Sequence, residues 1–161
     1  MKHEMQVRYP ASSAVVIKMF TDKAFHTTKL EAMGVHKYQV LKHQFDGREF
    51  SIRIERQVPM QAPALVRRLV PMEAKVTNEE SWNVTAKTGK VKVEPQGMPV
   101  EMACTMAMAD RGKECVVSYS WEIRAKVPLL GGALEKFIVG DLEKRSAEET
   151  EAGIALLKNY R

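Results

Sequence analysis

Six consecutive segments between Val35 and Val127 alternate apolar with polar residues, and turn signals join them in three pairs. A period of two marks a strand with one buried face. Val35 to Phe45 and Arg48 to Val58 flank Asp46-Gly47, a strong hairpin signal because both residues tolerate the positive φ of a tight turn. Glu73 to Lys87 and Lys90 to Glu94 form a second hairpin around Thr88-Gly89. Met98 to Ala109 and Lys113 to Val127 form a third around Asp110-Arg111-Gly112.

Parity tests this arrangement, because a slip of one residue would turn every side chain to the other face. Pairing Phe45 with Arg48 groups Val35, Leu41 and Phe45 with Phe50, Ile52, Ile54 and Val58. Pairing Lys87 with Lys90 groups Val76, Trp82, Val84 and Ala86 with Val91 and Val93. In the third hairpin Val100, Met102, Cys104, Met106 and Met108 share a phase with Cys115, Val117, Tyr119, Trp121 and Ile123, provided that the loop has two or four residues. Each hairpin then has one apolar and one polar face, so the sheet needs a cover on one side only.

The flanks supply the cover. Glu4 to Tyr9 alternates and ends at Pro10, predicting a further strand. Ser12 or Ser13 can cap a helix carrying Val16, Met19 and Phe20, and Asp22 can cap a second that Gly34 closes. Met60 to Val70 is a connector with a helical turn after Pro63. After Pro128 a single long helix runs from about Leu130 to Tyr160. The expectation is an α+β chain: a seven-stranded curved antiparallel sheet, two short N-terminal helices and one long C-terminal helix.

At 161 residues the chain fits one domain spanning residues 1–161. With 45% apolar and 28% charged residues it falls in the globular range, and no apolar run approaches a membrane span. A soluble cytoplasmic protein is the expectation. The net charge of +5 is spread among acids, without the basic stripe that nucleic-acid binding requires; peripheral contact with an anionic membrane is its one companion expectation. The four histidines have no ligand spacing, so neither metal nor cofactor is expected. Cys104 and Cys115 fall on one face but diagonal, about 7–8 Å apart at Cα, which predicts free buried thiols.

The element order resembles that of the START-like helix-grip superfamily, which includes birch-pollen-allergen-like proteins and polyketide cyclases. Phe20-Thr21-Asp22-Lys23-Ala24-Phe25 and the stretch Val127-Pro-Leu-Leu-Gly-Gly-Ala-Leu-Glu-Lys136 resemble a bacterial branch of unknown function more closely. The resemblance implies a cavity between sheet and helix that holds lipids, hormones or aromatic polyketides.

The residues can be read for such a cavity directly. Following Leu142 along the last helix gives Ser146, Thr150 and Gly153 before Leu157, a core-facing stripe that turns small in the middle. Either volume is left there for a ligand, or the middle projects into solvent, or large sheet residues fill the gap. Met102, Met106, Tyr119, Trp121 and Trp82 would face it. The ten methionines suit either an adaptable ligand wall or plain filling.

Gln39, His43, Arg56, Asn78 and Glu80 are polar at apolar phase, and burying them without partners is costly. They would orient a ligand, with Arg56 or Glu80 as anchor. The structural alternatives are an Arg56–Glu80 ion pair, a bulge that flips the phase, or positions at an open rim. Lys37 strains the register, because it falls opposite Arg56. The leading expectation is binding or transport of a hydrophobic, lipid-like small molecule. The rivals are a polyketide cyclase or dehydratase-like enzyme using His43, Arg56 or Glu80, and a protein-interaction or chaperone-like module.

Overall fold

The computed structural model describes residues 1–161. Seven antiparallel strands form one sheet in the order β1-β7-β6-β5-β4-β3-β2: β1 Lys2–Tyr9, β2 Tyr38–Phe45, β3 Glu49–Pro59, β4 Glu73–Asn83, β5 Thr88–Pro95, β6 Val100–Arg111 and β7 Glu114–Ala125. Helices α1 (Ser13–Phe20) and α2 (Lys23–Ala32) follow β1, and α3 (Gly131–Leu156) follows β7. Ser12 caps α1 by accepting from the Val15 N–H, and Asp22 caps α2 through Ala24. Gly34 turns the chain out of α2 at φ +81°. A short 3-10 turn, Ala64–Leu69, follows Pro63 in the β3–β4 connector. This is the α+β helix-grip arrangement.

All three hairpins keep the expected parity, although two turn elsewhere. Phe45 pairs with Phe50 rather than Arg48, and Asn83 pairs with Thr88, so β4 ends before Val84 and Ala86. Both shifts move the pairing by an even number of positions, so neither changes which side chains face inward. The third hairpin closes with Arg111 opposite Glu114, a two-residue loop and one of the two lengths that the phases allow.

One strand departs. The β2–β3 register shifts between Val40 and Lys42, a bulge at Leu41. The extra residue reverses the phase of everything before it. Tyr38 and Val40 therefore take the inward positions opposite Arg56 and Ile54. Leu41 and Gln39, expected inside, are exposed. Lys37 escapes Arg56 and lies 3.8 Å from Glu73.

Cys104 and Cys115 are free and buried. Their expected diagonal placement is corrected, because Cys115 lies opposite Asp110 and Cys104 opposite Trp121, well down the ladder. Burial pushes the Cys104 thiol up to about 12 and the Cys115 thiol up to about 11, which leaves both unreactive near neutrality.

Helix α3 packs on β7 and β1 along one flank, and on α2 and the 3-10 turn along the other. It bridges the middle strands instead of lying on them. No helix is long and apolar enough to cross a membrane.

Candidate functional site

The rows of paired strands show what faces α3. Ile52, Glu80, Val91, Cys104 and Trp121 form one inward row, and Ile54, Asn78, Val93 and Met102 form the next. Arg56 and Val76 begin a third row beside the Asn78 one, and Phe50, Trp82, Gly89, Met106 and Tyr119 form a row beyond Glu80. Between these rows and α3 lies a cavity of about 150 Å³ lined mainly by apolar side chains. A space of this size holds a single ring or a short chain, and it is below the roughly 300–1,000 Å³ of a drug-sized pocket.

Of the residues expected to line it, Arg56, Asn78, Glu80, Met102, Met106, Tyr119, Trp121 and Ser146 do so. Four do not. His43 holds the inward phase, but on the exposed edge strand β2, with its ring 5.6 Å from that of Phe50. Trp82 is buried on the inward face against Phe20, where its Nε1–H donates to Glu80 Oε2 at 2.8 Å. Gly89 makes that placement possible, since a Cβ there would collide with the Ser81 carbonyl oxygen and the Trp82 ring. Thr150 turns its hydroxyl back to the Ser146 carbonyl oxygen at 2.8 Å. At Gly153 the space is filled by Tyr9, whose ring would stand 3.1 Å from an added Cβ. The small stripe of α3 therefore serves two purposes, opening the cavity at Ser146 and receiving a sheet residue at Gly153.

The polar groups divide by whether they have partners. Glu80 accepts from Trp82, and the Arg56–Glu80 ion pair, one of the structural alternatives, does not form. Arg145 Nε lies 2.8 Å from Asp141 Oδ2, and its Nη2 donates to the Pro59 carbonyl oxygen at 3.0 Å. Lys29 Nζ is 3.9 Å from Glu149 and 5.2 Å from the centre of the Phe25 ring. By contrast, Arg56 Nε, Asn78 Oδ1 and Trp121 Nε1 are sealed from solvent without a hydrogen-bond partner. Burial pulls the Arg56 guanidinium down from its ordinary value, with Glu149 opposing that pull. A guanidinium nevertheless stays charged at any physiological pH.

Sequence reasoning missed the contribution of the helices. His26, Lys29, Asp141, Arg145 and Glu149 all line the cavity. The His26 Nε2–H donates to the Phe20 carbonyl oxygen at 2.8 Å, which fixes the tautomer and leaves Nδ1 as a lone pair. Burial lowers its pKa, so the ring is neutral. Burial likewise raises the Tyr119 hydroxyl well above its ordinary value. The missed signal was spacing. Phe25 with Lys29, and His26 with Leu30, are four apart, while Leu142, Arg145 and Glu149 follow the helical face on either side of Ser146. No group of three or more potential metal ligands is present.

A seven-stranded sheet gripping a long C-terminal helix over an interior cavity is the START-like helix-grip fold, and the fold comparisons agree. The Zhui aromatase/cyclase of a Streptomyces species superposes with a TM-score of 0.67 at 10% identity, covering 98% of this chain and 93% of that one. A START superfamily protein from Mycobacterium smegmatis gives 0.62 at 11% identity, covering 99% of both chains. Norcoclaurine synthase from Thalictrum flavum, in complex with dopamine and hydroxybenzaldehyde, gives 0.62 at 16% identity, covering 100% of this chain and 88% of that one. The chain belongs to the family described as protein of unknown function (DUF2505), whose model matches residues 4–156. No curated protein matches it.

Proposed function

We propose that the protein binds a small, largely apolar molecule between the sheet and α3. The observation that carries this reading is the cavity itself, an apolar space with three sealed polar atoms, on Arg56, Asn78 and Trp121, that lack partners. Each such atom costs about 1–3 kcal/mol, and more for a charge, so a ligand that pairs with them recovers what the fold forgoes. The volume narrows the lipid-like class to a single ring or a short chain. In the same fold, the plant synthase holds dopamine and hydroxybenzaldehyde, both single-ring aromatics.

Native mass spectrometry of the purified protein, with a panel of single-ring and short-chain compounds, tests this. The expected result is one bound small molecule per chain, with long-chain lipids excluded. A chain that stays unliganded with every compound, and whose unfolding temperature none of them raises, overturns it.

An enzymatic reading has one observation in its favour. Neutral His26, with a free Nδ1, shares the cavity with Glu80 and Tyr119, a set able to move a proton. In that reading His26 takes the role expected of His43.

A further inference from the structure

Among the charged groups of the cavity, Arg56 stands apart. Three carboxylates reach the space, and each has another neighbour: Asp141 holds Arg145, Glu149 lies nearest Lys29, and Glu80 accepts from Trp82. None is within ion-pair distance of Arg56, and its Nε has no partner of any kind. On its own strand it sits between Ile54 and Val58, and it faces Val76 across the ladder with Asn78 diagonal to it. All five line the cavity.

Arg56 is half-buried, with its Nε sealed among apolar side chains, and a sealed atom of a charged group is costly to keep without a partner. Well-packed apolar residues commonly replace buried charges without loss of stability, so stability alone gives no reason for an arginine here. A ligand does.

We propose that Arg56 makes the cavity a site for a small organic monoanion, a carboxylate carried on a single ring or short apolar chain. This rests on the reading that the cavity binds a small molecule, and it adds the class. The planar guanidinium fork matches the two oxygens of a carboxylate, and the Ile54, Val93 and Met102 row takes the apolar part. Only one cation lacks a partner, which favours a single negative charge. A phosphate dianion would add repulsion from Asp141 and Glu149 on α3.

Calorimetric titration of the whole chain with matched pairs tests the assignment: benzoate against benzamide, hexanoate against hexanamide, and phenyl phosphate beside them. The carboxylates should bind about tenfold or more tightly than their amides, as expected for a hydrogen bond to a charged group. In R56M that preference should vanish, carboxylate and amide then binding within about twofold of each other, and the unfolding temperature should not fall. R56K, which keeps the charge without the fork, should retain only part of the preference.

Carboxylates and amides binding equally would overturn the anionic assignment but leave the cavity reading standing. So would a preference that survives in both R56M and R56Q, or phenyl phosphate binding most tightly. Failure of every compound, neutral or charged, would overturn the cavity reading itself.

Discussion

The two ends of the cavity are built on opposite principles. At the α2 end, rings close the space in a continuous chain. Tyr9 meets Phe20 edge-on at 5.6 Å, and Phe20 stacks on Phe25 at 5.6 Å and touches Trp82 at 5.5 Å. His26 lies edge-on to Phe25 and stacks on Phe50 at 5.4 Å. Two polar atoms there have internal partners, Trp82 Nε1 on Glu80 and His26 Nε2 on the Phe20 carbonyl oxygen. At the far end of β3 and β4, Arg56 and Asn78 keep sealed atoms unpaired among Ile54, Val58 and Val76. The first end is closed by packed rings. The second keeps polar atoms without partners. Stability should therefore concentrate at the aromatic end and recognition at the other.

Substitutions at the aromatic end should break the contrast most severely. Trp82→Ala removes a fully buried indole and strips Glu80 of its donor. A loss of about 3–5 kcal/mol is expected in denaturant unfolding. A loss comparable to that of a surface substitution would show that the rings do not carry the fold. Gly89→Ala should follow at about 1–3 kcal/mol, since its Cβ meets a backbone oxygen that cannot turn aside. Gly153→Ala serves as its control. There the nearest atom, 3.1 Å away, belongs to the Tyr9 ring, which can shift slightly, so the loss should be clearly smaller than at Gly89. Equal losses at the two glycines would mean that Tyr9 is held as rigidly as backbone.

The same division describes what could be read from the residues. The fold was legible because parity survives errors in turn position. The turns around Asp46-Gly47 and Thr88-Gly89 were misplaced, yet Ile52, Ile54, Trp82 and Val91 still face inward. What parity cannot absorb is a single inserted residue, and the bulge at Leu41 is one. It reversed Gln39 and Lys37, and nothing in the local sequence announces it. The sheet side of the site was therefore legible from β3 onward. The helix side was not, because Arg145 and Glu149 belong to a run of charges that in most helices faces solvent. Only the packing of α3 across the gap turns them inward. His26 was hidden for the related reason that α2 carries few large apolar residues to mark its buried face.

The smallest effect lies at His26, and it distinguishes a completed end from a merely apolar one. The charged groups facing the ring are Lys29 on its own helix, Glu80 on β4 and Glu149 on α3; burial outweighs the two carboxylates and lowers its pKa. Above the ordinary value of 6.5 the ring is neutral in both folded and unfolded chains, so it adds no pH dependence. Below that value the unfolded chain binds a proton that the buried ring resists. Stability should then fall as the pH drops from 6.5 toward the lower folded pKa, by at most about 1.4 kcal/mol per pH unit. Urea unfolding measured from pH 7.5 down to pH 5 should show this slope in the natural chain. It should be absent in His26→Gln, whose amide can still donate to the Phe20 carbonyl oxygen but does not titrate. If the slope persists in that variant, the ring accepts its proton inside the folded chain. The aromatic end would then hold an unfilled polar demand of its own, and the contrast with Arg56 would weaken.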